Sequence, residues 1–204
     1  IWACYYQHKD VIHKLLQKEE IDVNALNKDK KSALYYAFWK DDPSIITALI
    51  RHKNINLEQI NFDDKETLLM KSVKLKDVNL VIEVLGLPIT DINAQDANKE
   101  TAIMKVLERY EIYNEAVFNE LLTHPGIDLN LKDKGGETVL MKAVKRCNLH
   151  TVEALLETPG IDTAIRNKDN QTAKSIAKTK DDKNILELFE KYELQQTIKK
   201  YREG

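Results

Sequence analysis

The groups in this 204-residue sequence that could do acid–base, nucleophilic or metal chemistry are five histidines, two cysteines and 33 carboxylates. His8, His13, His52, His124 and His150 form no H-E-x-x-H motif and no Cys/His cluster. His8 and His13 stand five residues apart, the wrong spacing for shared ligation from one helix face. Cys4 and Cys147 make no C-x-x-C pair and fall in helical stretches, where a buried free thiol is the usual state. That usage suits a reducing compartment and argues against a disulfide scaffold. No G-x-S-x-G, P-loop or G-x-G-x-x-G is present. The carboxylates fall in polar loops and on helix surfaces, where nothing is expected to desolvate them and shift a pKa. These residues predict no catalytic site, no metal and no cofactor, and so a protein that is not an enzyme.

Charge and hydropathy narrow the partners further. Thirty-one Lys and Arg against 33 Asp and Glu leave a net charge of -2, which gives no global field toward nucleic acid or membrane. Apolar runs are only a few residues long, so no bilayer span is expected and an intracellular, cytoplasmic location is. The chain opens on IWACYY without Met, in the middle of a pattern, and reads as a fragment of something longer. Hydrophobic residues at 43% support a continuous core, while six Gly and four Pro leave little room for long linkers.

The elements that must carry these side chains follow from a period. SALYYA from Ser32, TLLMKS from Thr67, TAIMKV from Thr101, TVLMKA from Thr138 and TAKSIA from Thr172 recur at intervals of 35, 34, 37 and 34 residues. A second, aliphatic series follows each one, as in Ile45-Ile46-x-x-Leu49-Ile50 and Val152-x-x-Leu155-Leu156. The first unit shows it as Val11-Ile12-x-x-Leu15-Leu16. A third series, of the type Ile-Asp-x-Asn, closes the units at residues 21–24, 55–58, 91–93, 126–130 and 160–164. Each opening Ser or Thr can cap a helix with its hydroxyl. A small residue (Ala37, Ser72, Ala143, Ala177) marks close helix approach, and Gly135 and Gly136 can supply a positive φ in the polar loop. One such helix pair cannot bury its own apolar face, so the units must stack.

The period of ~33 residues, the Thr-x-Leu/Ile-x-x-small helix and the Gly-Ile-Asp-Leu-Asn turn together resemble the ankyrin repeat. The resemblance covers the chain from Ile1 to about Tyr192. It implies an all-α solenoid of helix-turn-helix units joined by β-hairpin-like loops. The units lie at about 1–26, 27–61, 62–95, 96–132, 133–166 and 167–193, with a helical extension at 194–204. The family's T-P-L-H-x-A signature is worn. Its Pro is Ala33, Leu68, Ala102, Val139 and Ala173, and its His is Tyr35, Met70, Met104, Met141 and Ser175. Loss of that His removes a ring that tethers neighbouring loops, so the units are expected to be held more by packing. The 37-residue unit carries its surplus near Glu111-Ile112-Tyr113, and His124-Pro125-Gly126 and Thr158-Pro159-Gly160 lengthen two helix exits.

In arrays of this family the first helices and loop tips line a concave face, which implies binding of another protein there. Alignment of the units places Tyr5, Tyr6, Tyr36, Trp39 and Lys40 at the N-terminal end of that face. Lys71, Lys74, Leu75, Lys105, Arg109, Lys142, Lys145 and Arg146 follow. The aromatic side chains would enter a partner's apolar pocket or clamp a side chain and the basic ones steer an acidic segment, so the expected partner is a protein with an acidic or aromatic-pocket segment. The competing account pairs the lysines with Glu66, Glu100 and Glu137, which share their phase, and folds Tyr36 and Trp39 over the core. Nucleic acid is not expected, since Asp63, Asp64, Asp96, Asp133 and Asp169 would put acid at the loop tips. Two alternatives stand beside the binding module: a targeting or regulatory domain of a larger enzyme or secreted effector, and homotypic assembly through the ends. The tail stripe Leu194, Ile198 and Tyr201 reads as a cap on the stack's open end.

Overall fold

A computed structural model describes residues 1–57, 62, 65–108 and 114–203, and among them regular structure is helical with no strand. Twelve α-helices fall into six antiparallel pairs: α1 (Trp2–Tyr5) with α2 (Lys9–Leu16), α3 (Ala33–Trp39) with α4 (Pro43–Ile50), α5 (Leu68–Lys74) with α6 (Val78–Leu85), α7 (Ala102–Val106) with α8 (Glu115–Leu122), α9 (Val139–Lys145) with α10 (Leu149–Glu157) and α11 (Ala173–Thr179) with α12 (Lys183–Glu203). First helices stack on first helices (α1 on α3, α5 on α7, α7 on α9, α9 on α11) and second on second (α2 on α4, α4 on α6, α6 on α8, α10 on α12). The result is a solenoid with one core running its whole length. The core holds the residues the period selects: Ala37, Ala143 and Ala177 at closest helix approach, and Ile45, Ile46, Val81, Phe118, Leu121, Leu155 and Ile185 from the second helices. Each large aliphatic or aromatic side chain so buried contributes roughly 1.5–3 kcal/mol of transfer free energy.

Local signals set the helix starts. Ser32, Thr67, Thr138 and Thr172 cap their helices, accepting from the backbone N–H groups of Tyr35, Met70, Met141 and Ser175 at 3.1–3.4 Å. Thr101 does not: its hydroxyl is buried without a partner, at the head of the short α7. The second helices carry caps of their own from Asp42, Asp77, Asn114, Asn148 and Asp182. Between the two helices of a pair the chain turns through one residue in the left-handed region: Gln7, Asp41, Lys76, Cys147 and Asp181, with φ between 51° and 61°. Cys147 is therefore an exposed turn residue rather than the buried helical thiol expected of it, while Cys4 is buried as expected. The chain reversal between α9 and α10, not hydrophobicity, decides that position.

The loops between pairs correct a second expectation. Asn27, Asp96, Asp133 and Asn167 each accept two backbone N–H groups across their turn, closing it as an Asx turn. Successive loops are tied by side chains where the histidine would have stood idle or absent. Asn24 donates to the Asn54 carbonyl and accepts from the Asn56 N–H, at 2.7 Å each. Asn93 does the same with Gly126 and Asp128, and Asn130 with Gly160 and Asp162. The Asn that closes three of these series, Asn24, Asn93 and Asn130, is thus an inter-unit tether, and packing does not act alone. Backbone bonds from Lys134 to Asn98 and from Lys168 to Gly135 add to it. Gly136 (φ 77°) brings its loop so close to the next that a Cβ would sit 3.0 Å from the Lys168 nitrogen. In the third unit Phe62 replaces the Asx residue and is buried edge-on against Phe38, centroids 5.3 Å apart.

Candidate binding face

The described sequence-selected residues lie on the first helices or directly after them, and the two ends of the array differ. At the N-terminal end α1 and α3 lie side by side, so residues one helical turn apart on each meet across the seam. Tyr5 stacks on Trp39 (centroids 5.7 Å, planes 16° apart) and meets Tyr36 edge-on at 5.4 Å. Tyr6 contacts Tyr5 edge-on at 4.9 Å and stacks on Trp2 at 5.8 Å. Trp2, Tyr6 and Trp39 remain 71%, 59% and 57% exposed. The Lys40 ammonium sits over Trp39 and Tyr5, 4.4 and 5.0 Å from the ring centroids. Tyr36 is half-buried, its hydroxyl accepting from Asn27 at 2.9 Å. Trp2 was not among the sequence-selected residues, although its place in the first unit is that of Tyr36 in the second, 34 residues on.

From α5 onward the equivalent positions are occupied by ions paired within the chain. Glu66 binds Lys71 at 2.6 Å and Lys74 more closely still. Lys105 is buried, its ammonium 2.7 Å from Asp96, 3.0 Å from Glu100, 3.3 Å from Glu108 and 3.6 Å from Glu66. Lys142 joins Glu100 at 2.6 Å to Asp133 at 2.8 Å, and Lys145 pairs with Glu137. The chain of contacts links α5, α7 and α9 through their preceding loops. Asp96 and Asp133 consequently point into the molecule rather than out from the loop tips, and only Asp169 of the described tip acids is exposed. Leu75 is half-buried against the core. Arg146 is also half-buried and donates to the Glu108 backbone carbonyl, across the unit boundary. With Met104, Leu107 and Lys142 these groups line a cleft of about 270 Å³ between α7 and α9. Arg109 and the surplus at Glu111-Ile112-Tyr113 lie outside the described residues.

These carboxylates are not the solvated ones the sequence suggested. Burial alone would raise Glu100, but its hydrogen bonds with Glu108, Lys142 and Lys105 outweigh burial and hold it at about 2. Glu66 is lowered in the same way, burial being overcome by Lys71 and Lys74. Burial would lower Lys105 and Lys142; hydrogen bonds from Lys105 to Asp96 and Glu100, and from Lys142 to Asp133 and Glu100, raise both instead. Glu108 moves the opposite way, upward, through burial and its contact with Glu100. Such shifts in a cleft often mark catalysis, but here each shifted carboxylate has an ammonium of this chain beside it: Lys71 and Lys74 at Glu66, Lys105 and Lys142 at Glu100, and Lys105 at Glu108. Among the described residues no group of His, Cys, Asp and Glu could hold a metal.

Six helix pairs, the Asn tethers and the loop geometry now have a family. Models of ankyrin repeats in three copies match residues 69–167 and 110–199, and a model of ankyrin repeats in many copies matches residues 1–50. The chain belongs to the ankyrin-repeat family. No curated protein matches it in sequence. Solved structures similar to this ankyrin array include an ankyrin repeat domain from Acinetobacter baumannii, with a TM-score of 0.78 and 18% identity over 94% of this chain and 95% of that one. The ankyrin repeat domain of Bcl-3, a member of the IkappaB family, gives 0.71 and 21% over 91% and 79%. A chain from a Bdellovibrio bacteriovorus predatory endopeptidase in complex with an immunity protein gives 0.67 and 23% over 93% and 95%. At these identities the likeness is one of fold. Ankyrin repeats are protein–protein interaction modules and their fold is generally a binding scaffold. Among the described residues no helix is long and apolar enough to cross a membrane.

Proposed function

We propose that this ankyrin array is a non-catalytic module that takes a segment of another protein on its concave face, with the aromatic N-terminal third as the anchor. The observation that carries the proposal is the contiguous aromatic cluster in which Trp2, Tyr6 and Trp39 are exposed and Tyr5 and Tyr36 are half-buried between them. Large rings held rigid by one another lose little entropy on binding, and Trp and Tyr dominate interface hot spots. Lys40 at its edge, and Lys74, Lys145 and Arg146 farther along, form a polar rim that favours an acidic stretch in the partner. The paired lysines contribute register and steering more than affinity, because their charge is largely neutralised within the chain.

The test is partner capture from the native host with wild type and substituted chains. Trp39→Ala and Tyr6→Ala are each expected to weaken capture by about tenfold or more, at unchanged helical circular dichroism. Neutralising Lys74 and Lys145 together is expected to change salt dependence while leaving the same partners bound. Undiminished capture by the Trp39→Ala, Tyr6→Ala pair would overturn the anchor assignment.

A further inference from the structure

The last helix changes its apolar side halfway along. In its first half α12 buries Ile185, Phe189 and part of Tyr192 against α10 and α11. At about 100° per residue, Leu194 lies about 180° around the helix from Ile185, with Ile198 and Tyr201 within about 40° of it. The second apolar stripe therefore faces away from the stack it was expected to cap, and Leu194, Ile198 and Tyr201 stay 62%, 43% and 85% exposed. Glu193, on the stack side, is drawn back by Lys174 at 2.7 Å, which fixes the helix's rotation and keeps the stripe turned outward. A three-turn helix with no packed face is marginal in water, so the stripe calls for a cover.

We infer that a second copy of this chain covers it, the two α12 helices pairing antiparallel across Leu194 and Ile198. Two features select this occupant. The spacing 194, 198, 201 is the 4-then-3 step of a heptad seam, and an antiparallel pairing sets each Ile198 against the partner's Leu194. The exposed part of the helix is also electrically polar along its length, with Glu187 and Glu190 before the stripe and Arg202 after its end, while Lys191 and Glu193 are paired with Glu153 and Lys174 of the stack. Antiparallel alignment brings these opposite charges within a Debye length at both ends, whereas parallel alignment sets like against like. Because the stripe is opposite the packed face, the two stacks lie on the outer sides of the helix pair and do not collide. The seam is short, so association is weak, with a dissociation constant expected on the order of 10 µM. This inference stands apart from the aromatic face at the other end of the molecule.

Sedimentation equilibrium of the whole chain up to roughly 100 µM tests it, where such a dimer would be the major species. The wild type is expected to shift toward twice its monomer mass with concentration, and Leu194→Glu, Ile198→Glu to stay monomeric with an unchanged melting temperature. In a Cys147→Ser background, Leu194→Cys with Ile198→Cys, which face each other across the seam, is expected to form a disulfide-linked dimer on oxidation and Tyr201→Cys is not. A wild-type monomer throughout, a dimer that survives the double substitution, or cross-linking through Tyr201→Cys alone would each overturn the pairing.

Discussion

Units 1–2 and units 3–5 fill the same face of the ankyrin array with opposite chemistry. Positions that hold Trp2, Tyr5, Tyr36 and Trp39 at the N-terminal end hold Lys71, Lys74, Lys105, Lys142 and Lys145 in the middle. The aromatic side chains contact one another and remain open to solvent. The lysines are turned onto Glu66, Asp96, Glu100, Asp133 and Glu137. A face that looks basic in sequence is thus largely neutralised among its described residues, where ion pairs tie neighbouring units together. The contrast teaches that residue type at a surface position does not report availability; the phase of its counter-ion does.

The comparison breaks most sharply at Lys105. Lys105→Met removes the cation paired with the buried Asp96 and with Glu108, while Glu66 and Glu100 keep Lys71, Lys74 and Lys142, and it is expected to cost on the order of 3 kcal/mol in urea unfolding. Trp39→Ala, on the same face, is expected to change stability by less than about 1 kcal/mol. Equal costs would erase the distinction between the two ends.

Acid acts on the middle through its lowered carboxylates, Glu66 and Glu100. Glu100 has its folded pKa depressed to about 2 from 4.5, so its contribution is complete above pH 4.5 and is lost as pH falls toward 2. The loss is on the order of 2–3 kcal/mol, partly offset by Glu108, whose raised pKa makes its protonation favour the folded state. Urea midpoints measured between pH 5.5 and 2.5 should fall accordingly; a flat profile would contradict the ion-pair ladder. Smaller still, Asn93→Ala removes one inter-unit tether and should destabilise by about 1–2 kcal/mol. Thr151 places a hydroxyl without a partner where other units have Ile45, Leu80, Val117 and Ile185, so Thr151→Val should stabilise by about 1 kcal/mol in thermal melts.

Much of the fold was legible in the sequence because a repeated unit tests each signal several times. Thr67 and Thr138 cap as their recurrence implies, and the buried aliphatics are those of the second series. Features that depend on a neighbour were harder to see. The tethering role of Asn24, Asn93 and Asn130 requires knowing which loop lies alongside. The depth of Lys105 depends on four carboxylates converging from two loops and from the residue just past the end of α7. The exposure of Cys147 follows from a left-handed turn that no Gly or Pro announces. The aromatic end was visible residue by residue, yet Trp2 escaped because the first unit offers too little of its pattern to align.

The central claim is that recognition lies in the aromatic third and cohesion in the ionic middle. The most direct measurement is the affinity of one captured partner for two substituted chains of matched stability, Trp39→Ala with Tyr6→Ala and Lys74→Gln with Lys145→Gln. A loss of about tenfold or more confined to the aromatic pair is the predicted result. A loss confined to the lysine pair would contradict it.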